Sequence, residues 1–124
     1  MVNSIGLDLV EVARIDADLK RFAPRFENRI LGPSEMQIFN RRRDKTIFLA
    51  GRFAAKEAVI KALGVFLSER PRLVDLQIIN DSTGQPQLVL PENIRQQIPD
   101  ARCLLSITHD KNYAAAVAVF VEEK

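Results

Sequence analysis

TIFLAGRFAAKEAVIKAL, residues 46–63, is the longest helical pattern in the chain, and the other elements must pack around it. Its alanines recur at three- and four-residue spacing along one helix face, which gives high helix propensity and allows close packing. Gly64 follows at once, and glycine is the residue most often found just past the end of a helix. The pattern predicts one long central helix that ends at Leu63.

Shorter elements are predicted before the central helix. The expected segments are an apolar strand over residues 5–10, a helix over 12–22 and a short helical piece over 25–31. Pro24 should separate the two helical segments because proline lacks a backbone donor. Ser34 is the predicted N-cap of a further helix that runs to about Arg43.

The second half of the chain is predicted to be mostly strand. Residues 74–80 alternate apolar and polar side chains, and the DSTG turn leads into a strand over 87–90, so the pair is predicted to be a hairpin. A short helix is expected over 92–97. Apolar runs over 103–108 and 113–121 predict a second hairpin.

Length and composition predict one compact domain, residues 1–124. With 124 residues and 47% hydrophobic residues, the chain can bury a core yet is short enough to gain stability from oligomerisation. Cys103 is the single cysteine, so an internal disulfide is excluded, and the amino terminus lacks a basic start followed by a long apolar run. No stretch approaches the roughly 20 apolar residues of a membrane span. We expect a cytoplasmic protein without a membrane partner.

The net charge of +2 conceals a basic first half. Residues 14–52 carry twice as many Lys and Arg as Asp and Glu, whereas residues 53–121 are balanced. On the helix after the first strand, Arg14 and Arg21 lie seven residues apart on one face, and Arg25 can continue that face. Such a face suits an acidic partner. The equal alternative is a basic surface that only keeps the protein in solution.

Two carboxylates stand in contexts that suit a metal ion. Asp8 lies near the end of the first apolar strand, in IGLDLVEVARI, and Glu57 lies in the central helix between two lysines. Mg²⁺ is usually held by one or two protein carboxylates together with substrate phosphates, so the two residues can share one ion if the fold brings them together. The ordinary alternative for Glu57 is a surface ion pair with Lys61, four residues later on the same face.

His109 is the single histidine and begins the HDKN sequence between the last two apolar runs. It can be a loop residue that supports the turn, or a donor that contacts a phosphate. The sequence lacks a phosphate-loop signature, GxGxxG, paired cysteines for zinc and the GxSxG nucleophile elbow. Several common types of nucleotide, zinc and hydrolase site are thereby excluded.

Four segments carry a pattern that spans nearly the whole chain: IGLDLVEVARI, RFAAKEAVIKAL, NDSTGQPQL and LSITHDKNYAAAVAV. In this order they resemble the motifs of the holo-acyl-carrier-protein synthases, a branch of the 4'-phosphopantetheinyl transferases. The resemblance implies an α+β fold, a single domain in which a long central helix packs on an antiparallel sheet. It also implies a homotrimer with active sites at the subunit interfaces.

The activity that the resemblance implies is magnesium-dependent group transfer. Members of the family transfer the 4'-phosphopantetheine group of coenzyme A to a serine of apo acyl carrier protein and release adenosine 3',5'-bisphosphate, in support of fatty acid biosynthesis. The expected metal is Mg²⁺, coenzyme A is the substrate, and acyl carrier protein is the partner. Nucleic acid is not expected as a partner.

Individual residues match the family's functional positions. Asp8 and Glu57 match the Mg²⁺ positions, and Lys61 matches a position that offsets charge on a coenzyme A phosphate. The residues that match adenosine contacts are Arg52 and His109 at the 3'-phosphate, and Gly84 and Pro86 at the adenine. The face of Arg14, Arg21 and Arg25 resembles the surface that binds the acidic carrier protein. Glu57 and a metal-bound water remain alternative acceptors of the serine proton.

Two departures from the family pattern concern affinity for coenzyme A more than the chemistry. Val65-Phe66-Leu67 stands where many relatives have a small or hydroxyl residue and another glycine. Gln85 stands where the family commonly has a lysine, which removes one positive charge near the nucleotide.

Two other classes of function stay open on the sequence. A small trimeric binding module could use the same basic helix to recognise an acidic protein without catalysis. A nucleic-acid-binding protein is disfavoured because aromatic residues make up only 6% of the chain and no base-stacking motif occurs.

Overall fold

The computed structural model describes residues 1–123 and has the expected α+β architecture. The helices are α1 (Val12–Phe22), α2 (Arg25–Ile30), α3 (Pro33–Arg41), α4 (Lys45–Leu63) and α5 (Glu92–Arg95). The strands are β1 (Val2–Glu11), β2 (Gln77–Asn80), β3 (Pro86–Val89), β4 (Ala101–His109) and β5 (Tyr113–Glu122). Lys124, the last residue of the predicted domain, lies outside the described residues. Within residues 1–123, no helix combines the length and the apolar character that crossing a membrane requires.

The larger sheet is antiparallel, with strand order β1-β5-β4. Asp8 on β1 lies opposite Ala116 of β5, and His109 on β4 lies opposite Ala114 of β5. Because neighbouring strands lie about 4.8 Å apart, His109 lies about 10 Å from Asp8 across the sheet, and the two-residue difference in register adds an offset of about 7 Å along the strands. β2 and β3 form a separate antiparallel hairpin. Both predicted hairpins are confirmed.

The central helix α4 packs closely against one face of the larger sheet. A Cβ atom added at Gly6 of β1 would lie 1.9 Å from the carbonyl oxygen of Ala58 in α4, so only glycine fits there. On β5, Ala114 and Ala118 are completely buried under the same helix face. Small residues on both elements therefore let the backbones approach, and this contact sets the height of α4 above β1.

The opposite face of the larger sheet is apolar and uncovered in one chain. Ile5, Leu7 and Leu9 alternate with buried Gly6 and Val10 along β1, so they project away from α4. These three residues are about two-thirds exposed, at 64%, 64% and 65%. Val117 and Val119 of β5 pair with Leu7 and Ile5 and extend the same surface. We call this surface, Ile5, Leu7, Leu9, Val117 and Val119, the outer sheet face.

The prediction that Ser34 caps α3 is wrong. The helix begins at Pro33 with Gly32 as the N-cap residue, and it ends at Arg41, before the predicted end at Arg43. Ser34 Oγ instead donates a hydrogen bond of 2.6 Å to Gln77 Oε1. The carboxylate of Glu35 accepts the Gly32 N–H at 2.9 Å, so an acidic side chain satisfies the donor at this helix start.

The strand predicted over residues 74–80 begins only at Gln77. Leu73–Asp75 forms a 3₁₀ turn, in which the Leu76 N–H donates to the Leu73 carbonyl at 3.1 Å. Lys56 Nζ donates to the same carbonyl at 3.0 Å. The short helix predicted over residues 92–97 is helical over Glu92–Arg95. The bounds of α1 and the end of α4 agree with prediction.

Candidate functional site

Helix α4 presents the predicted site residues on two of its faces. Arg52 and Glu57 are five positions apart, which turns Glu57 about 140° around the axis and moves it about 7.5 Å along it. Phe53, Glu57 and Lys61 recur every four residues and share one face. Phe48 and Arg52 share the other. The helix therefore serves two separate pockets.

The first pocket brings Asp8 of β1 and Glu57 of α4 together. Its other lining residues include Glu11 of β1, Arg14 of α1 and Phe53 of α4. The close packing of Gly6 on Ala58 explains this, because Asp8 is two residues beyond Gly6 and Glu57 immediately precedes Ala58. We call it the carboxylate pocket.

Each of the two carboxylates is paired with a different cation. Lys61 Nζ lies 3.1 Å from Asp8 Oδ1 and also donates to the Leu7 carbonyl at 2.8 Å. An Arg70 NH2 group lies 2.6 Å from Glu57 Oε1. The ordinary expectation of a Glu57–Lys61 ion pair is therefore wrong, since both residues make their ion pairs with residues elsewhere in the chain.

The donor set of the carboxylate pocket fits Mg²⁺. Within residues 1–123, no group of three or more His, Cys, Asp or Glu residues is arranged to hold a metal ion. Two carboxylates of one pocket instead match the way in which Mg²⁺ is usually held, by one or two carboxylates with water and substrate phosphates completing its coordination shell. Asp8 and Glu57 are the residues that would hold the ion, and the side chains are 16% and 18% exposed, so water and phosphate can reach them.

The second pocket contains all four residues that match adenosine contacts. Arg52, Gly84, Pro86 and His109 line it together, although they come from α4, the β2–β3 turn, β3 and the end of β4. Gly84 has φ +87, a left-handed conformation that favours glycine, and a Cβ there would meet no atom within 4 Å. We call it the arginine pocket. His109 is the last residue of β4 and lines this pocket, rather than lying within the following loop.

Two arginines of the arginine pocket stack on one ring. The guanidinium carbons of Arg42 and Arg52 lie 5.0 Å and 4.7 Å from the Phe48 ring centroid. Arg42 also pairs with Asp44 at 2.7 Å, and this hydrogen-bonded pair lowers the pKa of the Asp44 carboxyl. The pocket therefore holds two guanidinium groups against one aromatic ring.

A buried ion network lies behind Arg52. Arg52 is 6% exposed, and its Nε atom lies 4.0 Å from Glu35 Oε2. Lys56 and Glu35 are completely buried and form a 2.6 Å ion pair, while Glu35 Oε2 accepts the Ile78 N–H at 3.0 Å. Burial lowers the pKa of both Lys56 and Arg52, and the negative charge of Glu35 opposes that change. The network ties Arg52 to α3 and β2.

The two pockets remain distinct within one chain. The residues that line the carboxylate pocket differ from those that line the arginine pocket throughout the described part of the chain. Asp8 and Glu57 are thus brought together, and so are Arg52, Gly84, Pro86 and His109, but the two sets are not brought into one cavity.

The basic face of α1 begins at the carboxylate pocket. Arg14 lines that pocket, and Arg14, Arg21 and Arg25 are exposed. Lys20 lies on the same helix but forms an ion pair of 2.8 Å with Asp16. Arg21 stacks on the exposed Phe22 ring at 5.1 Å from its centroid.

Three charged residues beside the two pockets, Arg70, Glu35 and Lys56, were not predicted from the sequence. A signal existed for Lys56, because positions 52 and 56 fall on the same helical stripe as the buried Val59 and Leu63. A charged residue on such a stripe needs a buried partner. The spacing alone does not identify that partner. Arg70 carried no comparable signal, since it lies in an irregular segment.

Comparison with known proteins gives a consistent result over the whole chain. The model of the 4'-phosphopantetheinyl transferase superfamily matches residues 4–118. The holo-[acyl-carrier-protein] synthase of Protochlamydia amoebophila (strain UWE25) is 39% identical over 120 residues, which cover 97% of this chain and 98% of that protein.

Solved structures show the same likeness. The holo-[acyl-carrier-protein] synthase from Neisseria meningitidis has a TM-score of 0.86 and 31% identity, covering 98% of this chain and 100% of its own. A holo-(acyl-carrier-protein) synthase from Bacillus anthracis, solved in complex with CoA (3',5'-ADP), has a TM-score of 0.82 and 33% identity, covering 99% of each chain. The likeness extends over every element rather than one motif.

Proposed function

Because the chain belongs to the 4'-phosphopantetheinyl transferase superfamily, we propose that it is a holo-acyl-carrier-protein synthase. It transfers the 4'-phosphopantetheine group from coenzyme A to a serine of apo acyl carrier protein and releases adenosine 3',5'-bisphosphate. We place it in the cytoplasm, where it supports fatty acid biosynthesis. The observation that carries the proposal is the carboxylate pocket, in which Asp8 and Glu57 meet beside the basic face of α1.

Asp8 and Glu57 are proposed to hold Mg²⁺. When bound, the ion would neutralise the negative charge that builds on the pyrophosphate as its bond breaks. Lys61, which contacts Asp8, adds a positive charge on the same side of the pocket. The serine oxygen attacks the phosphorus that bears pantetheine, and its proton passes to the Glu57 carboxylate or to water.

The arginine pocket is proposed to bind the nucleotide end of coenzyme A. Arg52 and His109 donate hydrogen bonds to the adenosine 3'-phosphate, and charge-assisted bonds of this kind are the strong ones. Gly84 and Pro86 accept the adenine beside the turn. Since Arg52 is held from behind by Glu35, its guanidinium is positioned before the substrate arrives.

We propose that the protein is a homotrimer with each active site at an interface between subunits. The outer sheet face supports this, because three alternate residues of β1 that are about two-thirds exposed form an apolar surface suited to burial against another copy. The separation of the two pockets within one chain gives a second reason. A carboxylate pocket of one subunit and an arginine pocket of its neighbour can together accommodate one extended coenzyme A molecule.

The proposed carrier-protein surface is the face of Arg14, Arg21 and Arg25. These arginines are exposed and do not belong to the ion pairs found within residues 1–123, so their charges can meet an acidic partner. Arg14 also lines the carboxylate pocket, so a carrier protein bound along α1 would deliver its serine beside Asp8 and Glu57. Opposite charges would mainly speed the encounter and select the partner.

One experiment tests the activity directly. The protein is incubated with apo acyl carrier protein, coenzyme A and Mg²⁺, and the carrier protein is examined by mass spectrometry for added phosphopantetheine. We expect complete conversion, and none when a chelator replaces Mg²⁺. Carrier binding that ignores both Mg²⁺ and coenzyme A, with no mass added, would instead indicate a binding module.

A further inference from the structure

Arg70 binds an oxygen atom of a proposed metal ligand. Its NH2 group lies 2.6 Å from Glu57 Oε1, with the Arg70 side chain 60% exposed and the Glu57 side chain 18% exposed. A divalent cation in contact with that carboxylate would stand within a few ångströms of the guanidinium. Like charges at that distance repel, so the ion and Arg70 compete for Glu57.

The segment that carries Arg70 is anchored at both ends and exposed in its middle. Before it, the Phe66 ring packs against the Phe120 ring, with centroids 6.5 Å apart. After it, the Leu73 carbonyl accepts a hydrogen bond from the buried Lys56. Between these anchors, residues 68–70 are exposed, so Arg70 can change its partner without disturbing the core.

We propose that Arg70 competes with the metal ion for Glu57 and that, once displaced, it binds a phosphate of the coenzyme A diphosphate. The inference rests on the proposed function and adds a residue to it. The phosphates that complete the ion's coordination shell lie close to Glu57, and therefore within reach of a side chain that starts 2.6 Å from the same carboxylate. Arg70 then weakens metal binding alone and strengthens substrate binding once the metal is present.

The test separates these two effects by measuring them in the wild-type protein and in Arg70→Ala. Binding of Mn²⁺ alone is followed by the loss of the electron paramagnetic resonance signal of the free ion. Binding of coenzyme A at saturating Mn²⁺ is followed by calorimetry. We expect Arg70→Ala to bind Mn²⁺ about twofold to fivefold more tightly, as removal of an exposed competing ion pair predicts. We expect it to bind coenzyme A about threefold to tenfold more weakly, because a phosphate contact is lost.

Arg72→Ala is the matched control, since Arg72 is also exposed in this segment but pairs with Asp75 at 3.1 Å. It should leave both affinities unchanged, while Arg70→Lys should restore part of each. A structural defect of the segment would weaken both affinities. Unchanged or weaker Mn²⁺ binding in Arg70→Ala overturns the competition, and unchanged coenzyme A binding overturns the phosphate contact.

Asp8→Asn distinguishes failure of this inference from failure of the proposed function. If Asp8→Asn loses Mn²⁺ binding while Arg70→Ala leaves it unchanged, the metal site stands and the role of Arg70 is wrong. If Asp8→Asn binds Mn²⁺ as well as the wild type, the metal site is wrong and the proposed role of Arg70 falls with it.

Discussion

The two pockets of the molecule hold their charged groups in opposite ways. In the arginine pocket, Arg52 is 6% exposed and stands against Phe48 and the buried Glu35–Lys56 pair. The cations that pair with the two acids of the carboxylate pocket, Lys61 and Arg70, are 55% and 60% exposed. A buried pair is costly to break, whereas an exposed pair contributes at most about 1 kcal/mol and exchanges readily.

The difference matches two tasks in the proposed reaction. Recognition of a phosphate that does not react benefits from a cation whose position is fixed before binding, because less conformational entropy is lost on binding. The reacting site must accept a metal ion and a changing distribution of charge, so cations that can leave their carboxylates are useful there. Burial thus separates the recognising pocket from the reacting one.

The largest expected effect comes from emptying the carboxylate pocket of its negative charge. Asp8→Ala and Glu57→Ala should each reduce transfer by about a thousandfold or more, because a metal ligand contributes several kcal/mol of transition-state stabilisation. Both side chains are partly exposed, so thermal unfolding should change little. Transfer is measured by mass spectrometry of the carrier protein.

Glu11→Ala is the matched control, because Glu11 lines the same pocket but was not assigned to the metal. It should keep most of the activity. Glu57→Gln retains size and a carbonyl ligand but loses charge and basicity, and it should be as inactive as Glu57→Ala. Full activity in either the Asp8 or the Glu57 variant would remove that residue from the proposed metal site.

The next largest effect concerns the stability of the fold and the buried ion pair behind the arginine pocket. Glu35→Gln should lower the free energy of unfolding by about 3 kcal/mol, because it leaves Lys56 buried without its ionic partner. Chemical denaturation measures this, with the exposed Glu69→Gln as control. An unchanged unfolding free energy would show that the buried pair does not stabilise the fold.

The same variant has a predicted pH dependence. Burial lowers the pKa of Lys56 below its ordinary value of 10.5, so the unfolded chain binds this proton more tightly than the folded one. With Glu35 neutralised, that difference grows, and stability should rise as the pH increases towards 10.5. A flat profile in Glu35→Gln would contradict a lowered pKa of Lys56 in the folded protein.

A smaller effect is expected at the edge of the arginine pocket. If His109 contacts the adenosine 3'-phosphate, His109→Ala should raise the KM for coenzyme A about tenfold to a hundredfold, the equivalent of 1.5 to 3 kcal/mol. The KM for 3'-dephospho-coenzyme A should barely change, since that substrate lacks the phosphate. Both KM values are measured by steady-state kinetics.

Asp110→Ala serves as its control. Asp110 accepts the Asn112 and Tyr113 N–H groups and orders the turn beside His109, and these bonds lower the pKa of the Asp110 carboxyl. A defect in the turn should affect both substrates equally. Equal losses in His109→Ala, together with a lower Tm, would assign His109 to turn support.

The smallest effect is expected at the basic face of α1. Reversing Arg14 and Arg21 to Glu should weaken carrier-protein binding about tenfold at low salt and less at high salt, because exposed charges are screened. Coenzyme A binding measured alone should change less. Lys20→Glu, on the same helix but already paired with Asp16, is the control. Unchanged carrier affinity at low salt would leave these arginines with a role in solubility only.

The periodic parts of the fold were predictable because their signals are local. The alanine spacing and Gly64 predicted α4 and its end, and the DSTG turn predicted the β2–β3 hairpin. Ser34 was misassigned because α3 begins one residue earlier, at Pro33, and the Ser34 hydroxyl bonds Gln77, a residue far along the chain. The 3₁₀ turn at Leu73–Asp75 was missed for a related reason, since Lys56 of α4 binds the Leu73 carbonyl.

Periodicity in the sequence predicted most of the elements, and the resemblance of four motifs to a known family supplied most candidate residues of the site. Only the packed molecule decided which charges meet. Gly6 lets β1 approach α4, which brings Asp8 beside Glu57, and the same packing leaves Lys61 on Asp8 and Arg70 on Glu57. The division of the site into a buried, fixed pocket and an exposed, exchangeable one also came from the tertiary structure. Helical and strand periodicity is a property of neighbouring residues, whereas burial and ion pairing depend on contacts between residues far apart in the chain.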